Sequence, residues 1–426
     1  MSKSSDFFLY QSKSLSTDNV SLSQIAKKTG TPVYVYSAAA LLKPLHELQQ
    51  GLAEIDHLVC FAVKSNSNIA VLKLLASHGA GMDLVSGGEL FRAEKAGVSP
   101  EKIVFSGVGK TRQEMTTALN TGIYSFNVES LAELHTLSQV AIACKKEARV
   151  ALRFNPDIDA KTHPYISTGL KKNKFGMTEK EILEIARSAA KGAKDFSGIV
   201  FAGISIHIGS QILTLAPLNQ AFTRLRKLVD RLGKILPRPI TFVDLGGGVG
   251  ISYHDKEKAP SLKKYCELIL KHFGPESGLK VLIEPGRTIS GNAGVLISEV
   301  LFRKSHDKKD FLIIDAGMND LVRPALYDSY HEVVPVEKKT QAKLRKVDIV
   351  GPVCESSDCF AVDRLLPASL NSGDLVAILS AGAYGLSMSS NYNTRPRPPE
   401  VLVQNGKFVV IKKREDYDDL IRGELF

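Results

Sequence analysis

Leu58-Val-Cys-Phe-Ala-Val63 is an unbroken apolar run, and it closes on Lys64-Ser-Asn66. Three more short runs follow it: Gly81–Val85, Ile103–Phe105 and Tyr124–Val128. The ends of these four runs, near positions 64, 86, 107 and 128, lie 22, 21 and 21 residues apart. A buried strand followed by an amphipathic stretch and another buried strand, at so short a repeat, predicts parallel strands joined by crossover helices. Such crossovers are right-handed by rule. Four further strands are predicted at Arg149–Phe154, Gly203–His207, Thr241–Leu245 and Lys280–Glu284. Helical stretches separate them, among them Ile69–His78, Glu89–Ala96, Gln113–Asn120, Ser130–Cys144, Lys180–Ala190, Leu218–Leu236 and Leu262–His272. Eight strand–helix units in a segment of this size predict an α/β fold, a (β/α)8 TIM barrel over residues 37–285. A doubly wound open sheet is the structural alternative.

Beyond residue 286 the texture changes. Gly294–Phe302, Phe311–Asp315, Lys346–Val350, Leu375–Leu379 and Val401–Ile411 read as strands, separated by turn residues such as Asn371-Ser-Gly-Asp374 and Asn405-Gly406. Asn-Gly between apolar runs is a hairpin signal. Residues 286–426 therefore predict a C-terminal, mainly antiparallel β domain of sandwich or barrel-like form. Residues 1–36, with Pro32-Val-Tyr-Val-Tyr36, are expected to add strands to it.

The chain has 426 residues, 44% hydrophobic and 23% charged, which excludes a fibrous or largely disordered protein. No apolar run reaches the ~18 residues of a membrane helix. The opening Met1-Ser-Lys-Ser-Ser-Asp6 lacks the apolar core of a signal peptide, so a cytoplasmic protein is expected. Five widely spread cysteines without a C-x-x-C pair predict free thiols in a reducing compartment, with no structural metal. Lysine and arginine exceed aspartate and glutamate by ten. That excess is compatible with nucleic acid, an anionic surface or a small acidic ligand as partner. No nucleic-acid recognition motif accompanies it, and most of it falls in Lys171–Lys174, Arg303–Lys309, Lys338–Lys346 and Lys407–Arg414, read as solvated loops and strand edges. Neither nucleic acid nor a membrane is expected as a partner.

In barrels of this kind the chemistry lies at the C-terminal ends of the strands. Four unusual residue types fall there. Lys64 ends the first strand, where partial desolvation lowers an amine's pKa and favours imine chemistry. His207 ends the sixth. Asp244-Leu-Gly-Gly-Gly248 ends the seventh, with backbone N–H groups open to an anion. Glu284-Pro-Gly-Arg287 ends the eighth. A lysine, an anion cradle after strands seven and eight, and a carboxylate for a ring nitrogen together match what pyridoxal 5'-phosphate requires.

The chain resembles the barrel-type, fold type III pyridoxal-phosphate decarboxylases. The resemblance runs from about Thr31 to Asn405. Its motifs are Phe61-Ala-Val-Lys64, Val85-Ser-Gly-Gly-Glu89, His163-Pro-Tyr-Ile-Ser-Thr-Gly169, His207-Ile-Gly-Ser210, Asp244-Leu-Gly-Gly-Gly248, Glu284-Pro-Gly-Arg287, Arg323-Pro-Ala-Leu-Tyr327, Gly351-Pro-Val-Cys-Glu-Ser-Ser-Asp358 and Gly382-Ala-Tyr384. It implies decarboxylation of meso-2,6-diaminopimelate to L-lysine and CO2, the last step of lysine biosynthesis. Lys64 would hold the cofactor covalently, His207 would lie against its ring, and Glu284 would face the ring nitrogen. Ser210, Gly247 and Gly286 would serve the phosphate, and Tyr384 would contact the cofactor. Asp83 would lie near the cofactor, or serve as a structural hydrogen-bonding group. Arg287, Arg323 and Tyr327 would bind substrate carboxylate, and Glu355 the distal ammonium. Cys354 would deliver the proton that replaces the lost carboxylate. The resemblance also implies a homodimer with shared active sites, in which Cys354 and Glu355 serve the partner subunit's site. Ser65 and Met82 stand where the family pattern has alanine. The segment from Gly169 to Phe175 reads as a connection near the site or as a plain basic loop.

Other basic-amino-acid decarboxylases of this fold, acting on ornithine, arginine or lysine, are the alternative. They usually carry aspartate after the cysteine and a different carboxylate clamp. A racemase would need a tyrosine base where Cys354 stands, and a non-catalytic binding protein would dispense with Lys64 or Cys354.

Overall fold

Eight strands close into a parallel barrel: β1 (His57–Ala62), β2 (Gly81–Leu84), β3 (Ile103–Phe105), β4 (Ser125–Val128), β5 (Ala148–Phe154), β6 (Ile199–Ile206), β7 (Phe242–Asp244) and β8 (Lys280–Ile283). Each pairs with its sequence neighbour, and β8 returns to β1 through Val281–His57, Leu282–Leu58 and Ile283–Val59. The structure is a computed structural model describing residues 6–159, 169, 173–307, 309–339 and 342–425. It divides into two units. One is Pro44–Ile251 with Ala259–Thr288, which holds the barrel. The other is Met1–Lys43, Ser252–Lys258 and Ile289–Phe426.

All eight predicted barrel strands are present. The largest boundary difference is β6, which begins at Ile199 rather than Gly203. Its register against β5 shifts between Phe201 and Gly203, and the irregularity hides the early residues from a period-two reading. Gly203 is itself required by packing, since a Cβ there would lie 2.5 Å from the Phe242 ring.

Local chemistry starts the helices. Asn68 caps the helix Ile69–Ser77, and Thr111 with Glu114 and Thr178 with Glu181 form complete capping boxes. Ser86 and Ser130 cap the helices Gly87–Lys95 and Leu131–Cys144. At those two ends the N3 glutamate reaches one residue further back. Glu89 accepts from the Val85 N–H and Glu133 from the Glu129 N–H, which ties each cap to the strand that precedes it.

The second unit holds a nine-stranded sheet. Its main path runs from β12 (Cys359–Pro367) through β11 (Leu344–Val350), β10 (Lys309–Ile314) and β9 (Gly294–His306) to Val33–Ser37, then β14 (Glu400–Gln404) and β15 (Lys407–Lys412). The strand β13 (Leu375–Ile378) pairs with β9 and with Val333–Pro335. Pairing is mostly antiparallel, with β10–β11 and Val33–Ser37–β14 parallel. The N-terminal residues supply a strand as expected, and Asn405 and Gly406, both at positive φ, turn the β14–β15 hairpin. Two strands of this sheet, β12 and Val333–Pro335, escaped the sequence reading. In β12 the left-handed Asp363 and a register shift break the alternation. The motif from His163 to Gly169 lies outside the described residues except for Gly169, as do Lys171 and Lys172.

Leu58, Cys60, Val104, Ala151, Ala202, Phe242 and Leu282 pack together as a buried cluster within the barrel unit. Phe242 also meets the Tyr124 ring edge-on at 5.2 Å. Truncation of a fully buried phenylalanine in such a cluster costs about 3–5 kcal/mol. Phe242→Ala is therefore expected to lower the urea midpoint of the barrel's unfolding substantially. An unchanged midpoint would show that the cluster contributes little.

Candidate active site

The C-terminal ends of the barrel strands bring the barrel's predicted residues to one rim. Lys64 follows β1 in a single turn, Val63–Ser65, and its Nζ donates to Asp83 Oδ2 at 2.8 Å. Asp83 is on β2 and fully buried, so the lysine's partner is fixed in the strand layer while its own side chain stays 38% exposed. His207 follows β6, and its Nδ1 accepts the Gly247 N–H at 3.2 Å. That leaves Nε2 to carry the ring proton. Burial, then Arg153 and Lys64, push the His207 pKa well below its ordinary value, and the ring is neutral.

The Gly246–Gly248 turn after β7 admits no side chains. Gly246 and Gly248 have φ of 66° and 110°, and a Cβ at Gly247 would lie 2.2 Å from the Glu284 carbonyl oxygen. At Gly286 a Cβ would stand 3.1 Å from the side chains of Ala62 and Ser65. Arg287, nearly buried, opens the short helix Arg287–Ser290 and donates to Ser210 Oγ at 3.1 Å. Ser210, the glycine turns and Arg287 thus share one stretch of rim, with the donor types an anion needs.

A cavity of about 200 Å3 opens between Lys64, His207 and Glu284, with Asn127, Arg153 and Ser205 in its wall. Glu284 is 8% exposed, and its Oε1 accepts from Asn127 Nδ2 at 3.1 Å and Ser106 Oγ at 3.3 Å. Burial, then Asp244 and Asp83, drive the Glu284 pKa well up against the opposing pull of Lys64. Arg153 is committed to Glu129, Nη1 to Oε1 at 2.6 Å, and stacks on Phe175. Three buried polar atoms near this cavity, Asp83 Oδ1, Asn127 Oδ1 and Ser205 Oγ, have no protein partner among the described residues. Unsatisfied buried polar atoms are costly, so their concentration here points to a polar ligand.

Asn127, Arg153, Ser205 and Ser106 had no role assigned from the sequence, and Asp244 was noted only as part of its glycine motif. The available signal was a polar side chain inside an otherwise apolar strand, as in Ser125-Phe-Asn127-Val and Ala151-Leu-Arg153-Phe.

The remaining predicted residues lie in the second unit. Arg323 is buried, and its guanidinium donates to the Tyr253 hydroxyl at 2.7 Å and to Ser329 Oγ at 3.1 Å. Tyr327 ends the same short helix, Arg323–Tyr327. Cys354 is an exposed free thiol on a loop, its N–H donating to Asn393 Oδ1 at 3.2 Å. Glu355 beside it accepts from the Tyr392 hydroxyl. Tyr384 is partly buried at the left-handed φ of 56°.

Residues 39–291 match the model of the pyridoxal-dependent decarboxylase family's pyridoxal binding domain. Over 416 residues the chain is 45% identical to a diaminopimelate decarboxylase of Aquifex aeolicus, covering 98% of this chain and 97% of that one. A diaminopimelate decarboxylase of Helicobacter pylori, solved in complex with L-lysine, superimposes with a TM-score of 0.87 at 42% identity, covering 94% of this chain and 98% of that one. Another from M. jannaschii, also in complex with L-lysine, gives a TM-score of 0.92 at 35% identity, covering 99% and 98%.

Glu89, at the rim behind Lys64, has its pKa raised to about 7, chiefly by burial. The ordinary value is 4.5. A raised folded pKa contributes stability that is complete below the unfolded value and is lost as pH rises through the folded one. Wild type should therefore lose thermal stability between about pH 4.5 and 7 relative to Glu89→Gln, whose amide keeps an acceptor for the Val85 N–H. Parallel melting curves for the two proteins over this range would disprove the assignment.

Proposed function

The chain belongs to the pyridoxal-dependent decarboxylases, a family of carboxy-lyases, and from that premise we propose that it acts as the diaminopimelate branch does. It removes one carboxylate of meso-2,6-diaminopimelate as CO2 and leaves L-lysine, the last step of lysine biosynthesis. What carries the reading is one arrangement: a lysine at the end of β1, bonded to a buried aspartate, facing a buried glutamate and a neutral histidine across one cavity. The family match of the barrel segment supplies the cofactor, and the near full-length identity to diaminopimelate decarboxylases supplies the substrate.

The barrel residues fit pyridoxal phosphate. The three unpartnered buried polar atoms and the glycine rim are what a polar, phosphate-bearing ring would occupy. When bound, that cofactor supplies an electron sink for charge left at the amino-acid α-carbon. Lys64 would hold it covalently, and Asp83 keeps the Lys64 amine oriented and compensated. His207, neutral, would offer a ring face without placing a second positive charge there. Glu284 would stand opposite the ring nitrogen. Arg287, bonded to Ser210, would stand beside the cofactor and bind substrate carboxylate. Ser210 and Gly286 would receive the phosphate. The Gly247 N–H assigned to it already serves His207, so Gly247 contributes mainly by letting the turn lie close.

Substrate selection would fall to residues of the second unit. Arg323, with Tyr253 and Ser329 setting its fork, and Tyr327 suit a distal carboxylate. Glu355 suits the distal ammonium, and Tyr384 a cofactor contact. Clamping the far end is what allows CO2 to leave from one of two amino-acid centres. Cys354 would donate the proton that replaces the carboxylate. In this reading Cys354 and Glu355 serve the partner subunit's site in a homodimer. Five free cysteines accord with a reducing cytoplasm. Among the described residues no helix is long and apolar enough to cross a membrane.

Purified protein with pyridoxal phosphate should show a visible absorbance band and release CO2 from meso-diaminopimelate. Release from ornithine or arginine with none from diaminopimelate would overturn the substrate. Lys64→Ala is expected to abolish both the band and turnover. Cys354→Ala should keep the band while turnover falls by about 100- to 10,000-fold, the usual span for a lost general acid. A wild-type rate would place the proton donor elsewhere.

A further inference from the structure

Glu284 does not stand alone in the barrel. The buried Asp244 of β7 is tied to it through the side chain of Asn127. One Asn127 amide nitrogen reaches Asp244 Oδ2 at 2.9 Å, Glu284 Oε1 at 3.1 Å and Ser106 Oγ at 3.0 Å. An amide NH2 has two protons, so it cannot serve all three fully. Two ionised carboxylates on one amide nitrogen, at 0% and 8% exposure, would be both desolvated and repelled.

We propose that Asp244 and Glu284 hold one proton between them in the cofactor-free protein, with Asp244 acting as a positioning residue that keeps Glu284 protonated. The proposal rests on the reading of Glu284 as the partner of the cofactor's ring nitrogen, and deepens it. Asp244 is the better candidate for the charge. Its Oδ1 accepts the Gly246 N–H at 3.0 Å and its Oδ2 accepts from Asn127, whereas Glu284 receives only side-chain donors. The surroundings do not reverse this. Asp83 and the buried Cys60 add no positive charge, Tyr265 is buried nearby with its phenol pushed up, and Lys64 is committed to Asp83. Arg153 in the cavity wall is paired with Glu129, and His207 is neutral.

The stored proton has a use. With the cofactor bound, Glu284 would offer this proton to the ring nitrogen, its O–H bond giving way to an N–H bond, and would remain as the carboxylate facing it. The proton count is unchanged, and no co-reactant is needed. The acid that must hold the ring nitrogen in its charged form is thus loaded before the ligand arrives.

Infrared spectroscopy of the full chain without cofactor tests this through the protonated-carboxyl stretch. Glu89 and Asp320, both raised to about 7, absorb there too, so the diagnostic region lies above that pH. Wild type is expected to keep a protonated-carboxyl band there that Glu284→Gln lacks. In Asp244→Asn the midpoint of that band should move down by about one pH unit or more, as expected for loss of a strongly coupled neighbour. A wild-type spectrum with no such band overturns the proposal without any variant, and so does an unmoved midpoint in folded Asp244→Asn. Adding pyridoxal phosphate to wild type at that pH should remove the band as visible absorbance grows. Absorbance growth with the band intact overturns the proton transfer. Failure of any absorbance to appear would instead defeat the cofactor reading, leaving the carboxyl band to decide the pair by itself.

Discussion

The rim of the barrel depends on how closely the turn after β7 lies against the end of β8. The Glu284 N–H donates to the Gly246 carbonyl at 2.8 Å and the Leu245 N–H to that of Leu282 at 2.8 Å. A Cβ at Gly246 would lie 2.3 Å from the Ile206 carbonyl oxygen, and one at Gly248 would lie 2.2 Å from that of Gly209. Three strand ends are therefore locked by backbone contacts in which no side chain fits. That lock sets the direction of His207, through the Gly247 N–H, and the depth of Glu284. Neither group could be placed so by a looser, side-chain-bearing turn.

Within that frame, electrostatics sort the residues into fixed and available groups. Two buried cations are already matched, Arg153 with Glu129 and Lys110 with Glu133. Lys64 differs in being partly exposed while its partner Asp83 is fully buried. An amine held by a buried carboxylate, on a side chain that is itself partly exposed, is oriented at the cavity wall. The histidine beside it is kept neutral by burial and by the nearby cations, so no further positive charge competes for an electrophile at that point. The cavity wall thus carries an amine at Lys64 and a buried acid at Glu284, a polarity suited to a ring with an acceptor nitrogen at one end.

The barrel was legible in the sequence because its strands are short apolar runs, the first four at near-constant spacing, and the strand-end residues Lys64, His207 and Glu284 stood out against them. Asn127 and Arg153 were not legible for the same reason. Each is a polar residue inside a short apolar strand, and period-two patterning cannot distinguish an inward polar side chain serving a site from one facing outward. Their significance comes from neighbours far away in sequence, Glu284 for Asn127 and Glu129 for Arg153. Strand β12 was missed because its left-handed Asp363 and shifted register erase the pattern by which an edge strand is recognised.

In the second unit a thiol is displayed on a loop. Cys354 is exposed, so its position must come from the loop backbone. The anchor is Asp358, almost fully buried. Its carboxylate accepts the N–H groups of Met318 and Val353, each at 2.6 Å, and its carbonyl accepts the Gly351 N–H at 3.0 Å. A Cβ at Gly351 would lie 2.4 Å from that same carboxylate, so the loop closes only with glycine there. The Asp358 N–H in turn donates to the Glu355 carbonyl at 3.0 Å, which bounds the span carrying Cys354 and Glu355 on both sides. The motif from Gly351 to Asp358 is thus a closed loop held by one aspartate, with Cys354 and Glu355 in its exposed span.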